Sequence, residues 1–252
     1  IQKGVGCGCL KICPHPQANS WEMKITIIHG QSHKGSTFHT AHLLADKLDG
    51  ELTEFFLPKD FDEFCCGCTN CFINGEDKCP HFKKLSPITE AIDNADVIIL
   101  ASPVYVFHTT GAMKSLLDHY GYRWMSHRPK DSMFRKQGVC ISTAAGAGVK
   151  SANKDMADSL LFWGVGKIYR FGTGVAATSW EQVSDKKRRH IEKNVSSIAK
   201  KILSRRNKVR PGIKVRVLFS VMRLFQKKGL NPIDTKYWKE QSWLDGKKPW
   251  GN

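Results

Sequence analysis

The stretch that decides the fold is Met23–Leu48, MKITIIHGQSHKGSTFHTAHLLADKL. Its uninterrupted Ile25-Thr26-Ile27-Ile28 segment has the composition of a strand buried on both faces of a parallel sheet. Phe38, Ala41, Leu44, Ala45 and Leu48 then recur at roughly 3.6-residue spacing, which predicts a helix. Between the two lies a polar, glycine-containing loop. A strand, a loop and a helix in this order leave backbone N–H groups unpaired at the positive end of the helix dipole, and Ser32, Ser36 and Thr37 offer hydroxyls beside them. Such a place binds anions, phosphate foremost. Taken alone, an ordinary turn rich in small residues is the plainer alternative.

The loop narrows the nucleotide classes. Gly30 and Gly35 have the spacing of a triphosphate-binding loop, but that motif needs Lys directly after the second Gly, and Ser36 stands there. The next apolar strand, Val97–Ala101, does not end in an Asp that could hold magnesium. An NTPase is therefore disfavoured. The dinucleotide pattern G-x-G-x-x-G is absent as well, which argues against nicotinamide bound in the Rossmann manner and leaves a mononucleotide phosphate.

At 252 residues, 41% hydrophobic and 25% charged, the chain has the composition of a globular protein with a sizeable core. The formal net charge of +16 is concentrated late, from Lys186-Lys187-Arg188-Arg189 through Arg216, so the basic excess belongs more to a tail than to the phosphate-loop domain. Nine cysteines do not imply disulfides in so long a chain; five of them cluster between Cys65 and Cys79, as in a reduced metal or redox motif, and the cytoplasm is the expected compartment.

Residues 1–22 lack hydrophobic periodicity and are expected to be a disordered or non-native leader, with Met23 opening the first strand. Cys7, Cys9, Cys13 and His15 have no second ligand pair with finger spacing. Glu51–Leu57 predicts a second strand ended by Pro58, followed by a cysteine-dense loop; Ser86-Pro87 predicts an N-cap and first-turn proline opening a short helix. Val97–Ala101 and Gly138–Thr143 predict buried strands and Val165–Phe171 a fifth, with helices over Asn153–Phe162 and Glu181–Arg206.

Five strands alternating with helices predict a doubly wound α/β sheet, whose ligands sit outside the carboxyl ends of the strands. Three loops meet that condition: Gly30–Thr37, Ser102–Phe107 and Thr143–Gly148. The first suits phosphate, the second brings an aromatic ring and a proline-rigidified backbone, and the third allows close backbone approach through small residues. Together they describe a site for a phosphate-bearing flat ring.

These residues carry a resemblance to the NADPH-dependent FMN reductase branch of the flavodoxin-like superfamily, including the iron–sulfur flavoproteins. It spans Met23 to about residue 180 and rests on Gly30-Gln31-Ser32-His33-Lys34-Gly35-Ser36-Thr37, on the Cys65–Cys79 cluster, and on Ala95-Asp96 through Ser102-Pro103-Val104-Tyr105 into Lys114-Ser115-Leu116-Leu117-Asp118. The resemblance implies a five-stranded parallel sheet of order 2-1-3-4-5. It implies a flavodoxin-like domain over residues 23–207 and a basic, aromatic-rich helical extension over 208–252. FMN phosphate would be held by Gln31, Ser32, His33, Lys34, Gly35, Ser36 and Thr37. The isoalloxazine would be framed by Pro103, Val104, Tyr105, Val106 and Phe107 and by Thr143, Ala144, Ala145, Gly146 and Gly148. The family usually carries Gly-Ser-x-Arg at the loop start; Gln31 and His33 occupy those places here, removing a fixed positive charge that Lys34 partly replaces.

Cys65-x2-Cys68-x2-Cys71-x7-Cys79 has a compact spacing able to wrap one cubane, each thiolate on its own iron, and resembles the iron–sulfur flavoprotein motif for [4Fe-4S]. Free thiols and tetrahedral zinc are the other two readings, although zinc ribbons generally use two separated Cys-x2-Cys pairs. In the tail, Ile213–Lys228 predicts an amphipathic helix with Val217, Leu218, Val221, Met222 and Phe225 on one side, expected to dock on its own domain rather than on an anionic membrane surface. Tyr237, Trp238, Trp243 and Trp250 read as anchors, and no nucleic-acid module is recognisable.

The function expected from these features is an FMN-dependent oxidoreductase taking electrons from NAD(P)H and passing them to a quinone, nitro compound, flavin, iron–sulfur centre or redox protein, in a homodimer. The cofactor carries that chemistry, so no catalytic side chain is assigned. The alternative is a non-enzymatic FMN/[4Fe-4S] electron carrier or redox sensor.

Overall fold

The computed structural model describes residues 22–251. Apart from Glu22, the expected leader and its Cys7, Cys9, Cys13 and His15 lie outside the described residues.

Five strands, β1 (Lys24–His29), β2 (Glu51–Phe56), β3 (Val97–Ala101), β4 (Gln137–Ala144) and β5 (Lys167–Gly174), form one parallel sheet of order β2-β1-β3-β4-β5. The register aligns Ile25 with Val97, Val97 with Gln137, and Gln137 with Lys167, so the carboxyl ends of β1, β3 and β4 finish side by side. Central strands β3 and β4 are buried at every position, as an apolar run covered on both faces must be. Alternation sends Ile27, Ile99 and Val139 to one face and Ile28, Leu100 and Cys140 to the other. Helices α1 (Ser36–Leu48) and α6 (Asp185–Leu203) cover the first face through Leu44, Leu48, Ile191 and Val195; α3 (Phe82–Asn94), α4 (Gly111–Asp118) and α5 (Val149–Phe162) cover the second. This is the flavodoxin-like arrangement.

Several elements differ from the sequence expectation at their ends. Helix α3 begins at Phe82, four residues before the expected Ser86 cap, and carries Pro87 inside it. Proline costs an N–H that would have bonded the Lys83 carbonyl; the Ser86 hydroxyl donates to that carbonyl at 3.4 Å instead. Strand β5 runs past Phe171 to Gly174, because Gly172 and Gly174 pair with Ser142 and Ala144. The cysteine-dense loop contains a short helix, α2 (Asn70–Ile73), and a 3-10 turn at Glu76–Lys78.

The tail forms α7 (Ile213–Lys227) and α8 (Pro232–Glu240); the latter is opened by Pro232 in its first turn and by the Asn231 side chain accepting from the Ile233 N–H at 3.1 Å. Both dock against the segment before β4, in an aromatic cluster where Phe219 stacks on Trp238 at 4.9 Å and meets Phe134 and Trp243 edge-on. The predicted side of α7 is corrected here. Val215, Phe219 and Gln226 face inward, Leu218 and Met222 flank them, and Val217, Val221 and Phe225 are exposed. The Phe219 ring decides this, because only its side of the helix meets the rings of Phe134, Trp238 and Trp243. Among the described residues, no helix is long and apolar enough to cross a membrane.

Candidate functional site

A cleft of about 270 Å3 opens at the carboxyl ends of β1, β3 and β4. Its floor is the amino end of α1. No side chain caps that helix, because Gly35 occupies the cap position, so the first-turn N–H groups are offered to a ligand. The three strand-end loops are tied to one another by polar contacts. Thr37 and Thr143 share a buried hydroxyl–hydroxyl bond of 2.7 Å, joining the first loop to the third. The Val104 N–H donates to the Thr143 carbonyl at 2.9 Å, joining the second to the third. The Gln31 amide donates to the Tyr105 hydroxyl at 3.1 Å, spanning the first and second. Behind them, Thr110 donates to the Gly30 carbonyl at 2.5 Å while the Thr110 N–H donates to the Ser102 hydroxyl at 3.0 Å.

The second loop is backbone-strained at its tip. Val106 and Phe107 adopt φ of +47° and +67°, the left-handed region that a β-branched residue rarely enters, and Tyr105 and His108 bond each other's backbone across them. Val106 is 93% exposed and Phe107 64% exposed. Gly148 makes this turn sterically feasible: its φ is +95°, and a Cβ there would lie 2.6 Å from Val104 Cγ1 and 2.9 Å from Phe107 Cα.

Beneath the phosphate-type loop, the rings of His29 and His42 both reach Glu54 Oε1 at 2.7 Å. Burial lowers the His29 pKa, against the raising effect of Glu54, so the ring is held toward its neutral form. Lys34 does not project into the cleft; its ammonium lies over the rings of Phe38 and Phe56, 5.3 and 6.0 Å from their centroids.

The cysteine loop forms a separate pocket. Cys65, Cys66 and Cys68 are exposed and Cys71 and Cys79 half-buried, all with free thiols. Burial, with the nearby thiols of Cys79, Cys65 and Cys68 adding to it, pushes the Cys71 pKa up to about 11. Among the described residues, the group in this pocket whose ligand atoms all lie within 4.8 Å of one another is Cys79, His81 and His119, not the four cysteines. Tetrahedral zinc with bonds of ~2.3 Å requires sulfurs about 3.8 Å apart. Cys65, Cys68, Cys71 and Cys79 line one pocket without forming such a group.

Residues 23–176 match the profile of the NADPH-dependent FMN reductase family. The chain belongs to this family. An iron-sulfur flavoprotein of Archaeoglobus fulgidus is 27% identical to it over 187 residues, covering 72% of this chain and 80% of that protein. Among solved structures, an NAD(P)H:quinone oxidoreductase from Methanothermobacter marburgensis superposes with a TM-score of 0.54 at 14% identity, over 71% of this chain and 96% of its own. An FMN-dependent NADH-azoreductase from Bacillus anthracis, in complex with FMN, does so with a TM-score of 0.51 at 13% identity, over 69% and 99%. These two likenesses are of fold. Family membership makes this FMN reductase relative an oxidoreductase.

Of the site residues expected from sequence, Gln31, His33, Gly35, Ser36, Thr37, Pro103, Val104, Tyr105, Thr143, Ala144 and Ala145 line this cleft. Ser32, Lys34, Val106, Phe107, Gly146 and Gly148 do not: the Ser32 hydroxyl donates to the Leu57 carbonyl, and the others sit at the rim or shape the loops. Sequence reasoning missed His29, Phe38, Ala101, Val175, Ala177 and Thr178. Three of these follow β5, whose sequence pattern ends at Phe171 while the strand runs to Gly174. Applying the strand-end rule to the true end, Gly174, would have found them.

Proposed function

We propose that the cleft holds FMN, with its phosphate at the amino end of α1 among Gln31–Thr37 and its ring system between Pro103–Phe107 and Thr143–Gly148. The observation that carries this reading is the buried Thr37–Thr143 bond: it places an uncapped helix terminus and two loops of small and aromatic residues around one cleft. When bound, FMN supplies the hydride and single-electron chemistry. The chain's own residues orient and shield it. N–H groups of Ser36 and Thr37 neutralise phosphate charge without a fixed cation, the Gln31–Tyr105 bridge closes one end, and the loop packed on Gly148 limits water at the ring edge.

Electrons enter from NAD(P)H and leave to a small-molecule acceptor, a quinone, nitro compound or flavin, or to an iron–sulfur centre or redox protein. Cys65, Cys68, Cys71 and Cys79 are the proposed ligands of a [4Fe-4S] cluster, supported by their shared pocket and by the name of the Archaeoglobus relative. Such thiols fit a reducing compartment, the cytoplasm. The exposed Val106–Phe107 turn at the cleft mouth supports a second copy of the chain completing the site.

Titration of the flavin-free protein with FMN and with riboflavin tests the binding mode. Ser36→Asp should weaken FMN by at least ~100-fold through charge repulsion at a desolvated phosphate and leave riboflavin almost unaffected. Equal losses for both ligands, or stoichiometric FMN on the variant, would contradict it. Steady-state NADPH oxidation with FMN and a quinone, alongside iron and sulfide assays, then separates a reductase from an electron carrier: a flavin-loaded protein without turnover is a carrier.

A further inference from the structure

From Lys193 to Ile233 the chain carries twelve Lys or Arg residues and no Asp or Glu. Helix α7 lies in this segment, and its rotation is fixed from inside, where Val215 is buried and Phe219 is locked among Trp238, Trp243 and Phe134. The opposite side cannot turn inward, and it is apolar. Ile213, Val217 and Leu224 are 80, 56 and 63% exposed. At 3.6 residues per turn these three share a narrow arc that Val221 and Phe225 extend to roughly 120°. Exposed Arg216 and Lys227 run along one edge, and exposed Lys214 and Lys228 fall within the arc at the helix's two ends, where their long side chains can reach out past the apolar centre.

Three occupants differ in how they meet this combination. A second copy in two-fold contact would press two basic rims together with no acidic side chain on either α7 to pair them. A nucleic acid would satisfy the charge, but the arc is mostly Ile, Val and Leu, and its one ring, Phe225 at the edge, already lies under the Lys228 ammonium at 5.6 Å. An anionic bilayer takes both parts: the arc enters the acyl boundary, and the long basic side chains keep their charges among the headgroups.

We propose that α7 is a peripheral membrane-binding helix that lies in the plane of an anionic lipid surface, inserting Ile213, Val217 and Leu224, while α8 and the Phe219 cluster hold the helix to the flavodoxin-like domain. The inference does not depend on what the cleft binds.

Flotation of the purified full chain with vesicles tests it, using phosphatidylcholine alone and with roughly 30% phosphatidylglycerol. Partitioning onto the anionic vesicles should be at least ~10-fold stronger and should fall about 10-fold between low salt and ~0.5 M salt. Val217→Glu combined with Leu224→Glu should abolish flotation with an unchanged melting temperature, because both side chains point away from the core. Lys214→Gln, Lys227→Gln and Lys228→Gln together should remove the anionic preference. The proposal is overturned by wild-type protein that ignores anionic vesicles or floats equally on neutral ones, or by a double variant that floats like the wild type. It is equally overturned if the face proves to be a self-association surface, seen as a dimer in sedimentation that only the double variant dissolves, or if oligonucleotide binding depends on Leu224.

Discussion

The cleft and the cysteine loop lie on the same domain but are held by different means. The cleft is built from the ends of three adjacent strands, so the sheet that forms the core also sets its geometry: Gly30 bonds the Ala101 carbonyl, Ser102 the Ile141 carbonyl and Val104 the Thr143 carbonyl, at 2.7, 3.0 and 2.9 Å. The cysteine loop is held from two sides. From the domain, Ser115 of α4 donates to the Glu63 carbonyl, His81 meets His119 at 2.9 Å, and Cys71 and Phe72 pack on the second-face core. From the tail, buried Arg128 pairs with Asp234 of α8 and donates to the Cys71 carbonyl, and the Asn231 side chain donates to the Phe72 carbonyl at 3.2 Å. Asp234 is 1% exposed and also receives His127 at 2.7 Å. The cleft's geometry thus comes with the sheet, whereas the cysteine loop draws part of its support from the C-terminal extension.

The sharpest way to break this comparison is Asp234→Ala. Removing Asp234 leaves the buried Arg128 charge facing only the half-exposed Glu76 carboxylate at 3.5 Å, at a cost of about 3 kcal/mol in chemical unfolding. Iron bound after anaerobic reconstitution should drop, while FMN affinity of the folded fraction stays within about twofold by fluorescence titration. Parallel loss of both ligands would show that the two regions are not independent.

Gly148→Ala attacks the cleft alone. With φ at +95° and backbone atoms of Phe107 within 2.9 Å of the new Cβ, the tip of the second loop must move. A stability loss of about 1–3 kcal/mol and weaker FMN binding are expected, with iron content unchanged.

Thr37→Val acts on the same cleft without backbone strain. It strands the buried Thr143 hydroxyl, costing about 1–3 kcal/mol by denaturant titration, with FMN affinity falling in step as the first and third loops loosen.

The smallest effect is a pH dependence. Burial holds the folded-state pKa of His29 below its unfolded value of 6.5. The unfolded chain therefore takes up a proton near pH 6.5 that the folded chain resists, and the His29 contribution to stability is present above that pH and declines as pH falls below it. His29→Gln should flatten the difference between urea midpoints at pH 8 and pH 5; an unchanged slope would place the titration elsewhere.

Much of the fold was legible because buried parallel strands are apolar without interruption and their helices repeat at 3.6 residues. Met23–Leu48, Val97–Ala101 and Gly138–Thr143 carry both signals, and with them the strand-end loops. Legibility failed where an element's end depends on a partner. β5 extends to Gly174 only because β4 offers carbonyls and amides as far as Ala144, and Val175, Ala177 and Thr178 were missed with it. Pro87 suggested a helix start and sits inside a helix, because a neighbouring serine hydroxyl bonds the carbonyl that proline leaves without a donor.

By itself, then, the sequence determined the layer order, the uncapped helix terminus and the cysteine spacing, since each follows from local composition and short-range periodicity. The tertiary structure alone decided that Lys34 turns onto Phe38 and Phe56, that Asp234 reaches the cysteine loop through Arg128, and which side of α7 faces water. α7 carries apolar residues around most of its circumference, so its own pattern allows more than one rotation. The choice was made by contacts distant in sequence, above all the fit of Phe219 among Phe134, Trp238 and Trp243.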